Sequence, residues 1–165
     1  MSRRGCAMSL SALSFFLGFA LTGCMETSER GATSSDASAK KPLYDRLGGE
    51  AAITKVVDDF VGRAASDPKV NFTRKGTAKE WQATDANVSH FKKMLVQFIA
   101  SVTGGPQKYT GKDMKTVHAG MKISGAEFDA LAADLKASLD ALKVPAPEQE
   151  ELLQIVGSTR KDIVE

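Results

Sequence analysis

Apolar residues recur along most of this 165-residue chain at the three- and four-residue intervals of a helix, and no segment alternates as a strand does. Ile53, Val56, Val57, Phe60 and Val61 share one stripe, and the helix they predict ends near Asp67-Pro68. Before it, Leu43 to Leu47 predicts a short helical turn closed by Gly48-Gly49. Val88, Phe91, Leu95, Phe98 and Val102 mark a second amphipathic helix that stops at Gly104-Gly105. Ser124 with Glu127 three residues on is a capping-box pattern, and the helix it opens carries Phe128, Leu131, Leu135, Leu139 and Leu142 toward a core. Pro145 and Pro147 break that helix. A last one is expected from Glu148 to Ile163, with Leu152, Ile155 and Val156 inward. Asn71 to Ala86 has no period. It holds Phe72 and the lone Trp81 and reads as a long loop with a turn or two of helix. The expected fold class is all-α.

The chain divides into three parts. Residues 1–23 have a basic start at Arg3-Arg4, an apolar run from Leu10 to Leu21 and small residues before Cys24. That is the pattern of a signal peptide, too short for a comfortable membrane span. Residues 24–41 are rich in Ser, Thr, Ala and charge and read as a flexible linker. The folded domain is expected over 42–165. The end of the apolar run, Leu21-Thr-Gly-Cys24, resembles the lipobox of bacterial lipoproteins. The resemblance implies an acylated Cys24 that tethers the domain to a bacterial membrane on its periplasmic or extracytoplasmic face.

Loss of such a leader changes the charge. The chain has 22 basic and 20 acidic residues, and removal of Arg3 and Arg4 leaves the two signs balanced. A neutral domain has no excess basic charge to place against nucleic acid and suits a small uncharged ligand better. The two cysteines, Cys6 and Cys24, both lie before the domain, which is left with no disulfide, no thiol nucleophile and no CxxCH for thioether attachment. The sequence has no phosphate loop, no HExxH and no nucleophile elbow. The acidic pairs Asp58-Asp59 and Glu150-Glu151 diverge on a helix and suit a solvated face better than catalysis.

The chemistry concentrates near the histidines. Gly104-Gly-Pro-Gln-Lys-Tyr-Thr-Gly111 hands the chain to a short helical segment carrying His118. His118 follows Met114 by four residues and Val117 by one, and precedes Met121 by three, so its helical neighbours are apolar. A lone histidine in such a place is more often a packing residue than a ligand. Here it stands without competing thiols, between methionines, on a short glycine-bounded helix that can approach a flat apolar ligand.

The run GGPQKYTG followed by MKTVHAGM resembles the segment around the proximal histidine of group I truncated haemoglobins. LYDRLGGEAAI, VVDDFVGRAASDPKVN and the two closing helices are similar to that family in the same order, from about Leu43 to Val164. The resemblance implies a two-over-two helical sandwich and non-covalent haem b with His118 as the iron ligand. It further implies reversible binding of diatomic gases such as oxygen, in a binding protein more than an enzyme. Phe72 falls near the phenylalanine that packs on the haem. Phe91 and Leu95 fall at distal positions often held by glutamine. Met114, Val117, Met121 and Phe128 are expected to line the pocket, and Lys92 and Tyr109 are candidates for its propionates.

Two departures bear on function. The family commonly places a tyrosine where this chain has Val61, so the hydroxyl that would donate to bound oxygen is missing. With Phe91 and Leu95 the distal pocket is expected to be apolar. The alternatives are a haem enzyme acting on nitric oxide or peroxide, or a six-coordinate redox protein with His90 as the second ligand.

Overall fold

The computed structural model describes residues 41–165. The expected signal peptide, Cys24 and all but the last residue of the linker lie outside the described residues. Among the described residues seven helices follow one another: α1 (Leu43–Arg46), α2 (Gly49–Ser66), α3 (Asp85–Val102), α4 (Met114–His118), α5 (Gly125–Ala141), α6 (Ala146–Ser158) and α7 (Arg160–Ile163). No strand forms among the described residues. α2 packs on α3 and α5 on α6, and contact between α2 and α5 joins the two pairs. The core lies between them, with Val57, Leu139 and Leu152 almost wholly removed from solvent. Burying such side chains, at about 25 cal/mol per Å² of apolar surface, is what holds the pairs together.

The helix ends follow local chemistry. Gly48 precedes α2 with φ of 94°, a left-handed conformation that favours glycine. α3 starts at Thr84, whose hydroxyl accepts from the Asn87 amide at 3.3 Å. It ends at Thr103, whose hydroxyl donates to the Ile99 carbonyl at 2.6 Å. Gly105 then allows the Tyr44 ring to lie against the backbone, where a Cβ would also come within 2.8 Å of the Ala100 carbonyl. The Tyr44 amide donates to Thr103 at 2.9 Å, so the Gly104-Gly105 turn is pinned to α1. α5 opens with the predicted capping box of Ser124 and Glu127.

Three expectations are corrected. The last helix is two, α6 and α7, broken at Thr159, whose hydroxyl donates to the Val156 carbonyl at 2.6 Å and competes with the helical ladder. It also begins earlier, because Pro145 serves as N-cap and Pro147 sits in the first turn, where no amide donor is needed. Leu142 and Val102 do not point inward. They are 42% and 38% exposed, because one lies just past the end of α5 and the other is the last residue of α3, where the chain leaves the packed face. Residues 71–84 contain turns but no helix.

Candidate functional site

His118 closes α4, which Asp113 opens by accepting the Thr116 amide at 2.9 Å. The imidazole is half-buried, and its Nδ1 lies 2.8 Å from the Met114 carbonyl. A carbonyl only accepts, so Nδ1 carries the proton and Nε2 keeps its lone pair. Burial pushes the His118 pKa below the ordinary histidine range. The Met114 hydrogen bond pulls the other way, and the positive charge of Arg74 adds to the lowering. The ring is therefore neutral at neutral pH, oriented by one nitrogen and free to ligate through the other.

The donor set decides what it can ligate. No group of three or more His, Cys, Asp or Glu that could hold a bare ion occurs among the described residues. A single neutral imidazole suits a metal that brings its other ligands with it, as haem iron does. The residues present fit that group.

Val61 and Ala65 of α2, Val88 of α3, and Val70 and Phe72 of the segment between them wall an open cavity of about 520 Å³, with Asn71, Thr73, Lys75 and Lys92 as its polar members. Val61 is 3% exposed and turned to this cavity, a methyl surface where the resembled family has a phenol. Phe72 and Phe91 meet at 6.0 Å between ring centroids, and Trp81 packs on both, at 5.3 Å from Phe72 and 6.0 Å from Phe91. The Trp81 indole N–H donates to the Phe72 carbonyl at 2.9 Å. The lone tryptophan, which nothing in the sequence pattern located, thus completes an aromatic trio with two of the candidate pocket residues.

The other candidates fall as follows. Leu95 is half-buried and packs against the core. Met114, Val117 and Met121 are half-buried around His118. Phe128 is buried, with the Arg160 guanidinium 5.2 Å above its ring. Tyr109 lies edge-on to Phe98 at 5.5 Å, and burial raises its pKa, with the Asp113 charge adding to it. Lys92 pairs with Asp58 at 2.9 Å. That pair is solvent-exposed and worth little, so it leaves the ammonium available to another anion. His90 is exposed on α3. The structure thus brings Phe72 and Phe91 together in one aromatic cluster and keeps Met114, Val117, His118 and Met121 half-buried along α4 and the turn after it, while the Tyr109 ring packs on Phe98 and Phe128 under Arg160.

Sequence reasoning missed Arg74. It is 6% exposed, donates to Glu127 at 2.6 Å and to the Met121 carbonyl at 3.4 Å, and its partner Glu127 lies 53 residues away, beyond any local pattern.

The family model for bacterial-like globins matches residues 42–165. The group 1 truncated hemoglobin of Tetrahymena pyriformis is 31% identical over 122 residues, covering 74% of this chain and 93% of that protein. The one from Mycolicibacterium paratuberculosis is 33% identical over 121 residues, covering 73% and 82%. The crystal structure of the Tetrahymena pyriformis protein in its Fe(III) form aligns with a TM-score of 0.65, covering 75% of this chain and 98% of that one.

Proposed function

This chain belongs to the bacterial-like globin family, whose cofactor is non-covalent haem b, and from that premise we propose that it is a gas-binding haem protein held at a membrane by an acylated Cys24. His118 is the iron ligand, through Nε2. Phe72, Phe91, Leu95, Met114, Val117, Met121 and Phe128 would supply the apolar surroundings of the haem, and Lys92 and the Tyr109 hydroxyl would meet its propionates. The bound haem supplies a ferrous centre for a diatomic ligand. The chain's own residues orient the imidazole, exclude water and leave the ligand side without a hydrogen-bond donor at Val61.

The observation that carries this reading is the imidazole itself, neutral and half-buried, with Nδ1 committed to Met114 and Nε2 unengaged. The apolar distal side makes rapid reversible exchange the better reading than tight storage. A charge-assisted hydrogen bond to bound oxygen is worth about 1.5–3 kcal/mol, so its absence speeds oxygen loss by roughly tenfold or more. Val61→Tyr restores a donor at that place. Stopped-flow measurement on the ferrous oxygen complex is expected to show dissociation slowed by roughly tenfold. An unchanged rate would mean that residue 61 does not face the ligand.

The anchor has its own test. Expressed in a bacterium that processes lipoproteins, the chain is expected in the membrane fraction, and Cys24→Ser is expected to release it or leave its leader uncleaved. Equal membrane partitioning and identical mass for the two proteins would remove the anchor from the proposal.

A further inference from the structure

The segment from Asn71 to Ala83 faces two ways. Asn71, Phe72, Thr73 and Lys75 line the cavity beside α2 and α3, and Trp81 folds back over Phe72 and Phe91. Arg74, between them in sequence, turns away from that cavity toward the chain that follows His118. Its Nε–H donates to Asn71 at 2.5 Å, one terminal nitrogen donates to the Met121 carbonyl at 3.4 Å, and the other donates to Glu127 at 2.6 Å. The Met121 amide in turn donates to the His118 carbonyl at 2.9 Å. A continuous path of hydrogen bonds therefore runs from the residue beside Phe72 to the backbone of the histidine.

Glu127 braces the same junction. One carboxylate oxygen takes Arg74 and the Asn71 amide at 3.2 Å, and the other takes the Ser124 amide at 3.0 Å. Arg74 itself has φ of 54°, a left-handed conformation that a side-chain-bearing residue adopts only where its surroundings hold it. A buried arginine with all three guanidinium nitrogens engaged is a costly device for a surface loop. Its position gives that cost a use, because it fixes the turn from which α4 and the imidazole are presented.

We propose that Arg74 is a positioning residue for the proximal histidine, tying the segment after His118 to the Phe72 wall, so that the retention of haem and the set of the iron–imidazole bond depend on it. The inference rests on His118 being the haem ligand and adds a residue whose side chain touches neither ring nor iron.

The test compares Arg74→Met with Arg46→Met in the full-length protein loaded with haemin. Arg46 belongs to another, partly buried ion-pair cluster, with Glu148 at 3.0 Å and with Glu151, and serves as the control for general destabilisation. Two quantities are read: the rate of haem transfer to excess apomyoglobin, and the iron–histidine stretching band of the reduced protein. Arg74→Met is expected to speed transfer by roughly tenfold and to move or broaden the band, while Arg46→Met leaves the band in place. Should Arg74→Met fold poorly with Glu127 left unpaired, the double variant Arg74→Met with Glu127→Gln removes both charges together and is expected to give the same two changes. An unmoved band in the variant that folds, or the same shift in Arg46→Met, overturns the positioning role. If the unaltered protein shows no histidine-ligated haem, the haem reading fails and this inference falls with it. That outcome is visible in the first spectrum, before any variant is compared.

Discussion

His118→Ala is expected to erase the histidine-ligated spectrum of the haem-loaded protein while leaving the far-ultraviolet circular dichroism of the helices unchanged. The expectation follows from the division of labour between the two ring nitrogens. Nδ1 is spent on the Met114 carbonyl at 2.8 Å, so Nε2 is the atom left to bind, and alanine removes both. The helices should survive, because His118 ends a five-residue helix and lies outside the cluster that packs α2, α3, α5 and α6. Uptake alone is the weaker measure. An apolar cleft still gains about 25 cal/mol per Å² from covering porphyrin, so the variant will take up some haemin without its proximal bond. Coordination is the decisive readout, and rescue sharpens it. In His118→Gly, added imidazole is expected to restore the histidine-type spectrum by filling the space the side chain left. A wild-type spectrum retained in His118→Ala would move the ligand elsewhere and undo the proposed site.

The elements that could be read in the sequence are those whose order is local. The stripe on α2 is spaced by the helix itself, and Ile53, Val56, Val57 and Val61 are buried as that spacing requires. On α3, by contrast, the expected stripe of Val88, Phe91, Leu95 and Phe98 is only half-buried, and the buried face is Val96, Ile99 and Ala100. The capping box at Ser124 is a three-residue pattern and forms as written. The Met114–His118 hydrogen bond is likewise an i, i+4 contact on one helical face. Errors came at helix ends, where side chains compete with the backbone. Thr159 splits the last helix through its own hydroxyl, and Pro147 opens a helix that its chemistry was expected to interrupt. What could not be read was long-range. Trp81 meets Phe91 across the start of α3, and Arg74 meets Glu127 across two helices and a turn. Neither pairing has a spacing, and both belong to the one stretch whose apolar residues follow no period. The residues most specific to this chain thus sit where periodicity carries the least information.

Glu127→Gln is expected to destabilise the protein most strongly above pH 5 and progressively less as the pH falls toward 2. Burial alone would raise the Glu127 pKa. The Ser124 amide, the Arg74 guanidinium and the Asn71 amide outweigh it and hold the group at about 2, against an ordinary value of 4.5. A carboxyl whose folded pKa is depressed gives stability that is complete above its unfolded pKa and is lost as the pH falls through the folded one. The window here runs from about 4.5 down to about 2. The shift corresponds to about 3 kcal/mol if fully realised, and screening at the open edge of the carboxylate brings it to about 2 kcal/mol. Glutamine keeps much of the capping box but gives up the charge that Arg74 needs, so the variant also strands a buried guanidinium. That second loss adds to the gap at neutral pH and persists until the native carboxyl is itself protonated, when the two proteins become electrically alike. Urea midpoints measured at intervals from pH 7 to pH 2 should therefore converge. A gap independent of pH would show that Glu127 acts through its capping geometry alone, with no stabilising charge between the Phe72 segment and the chain that follows His118.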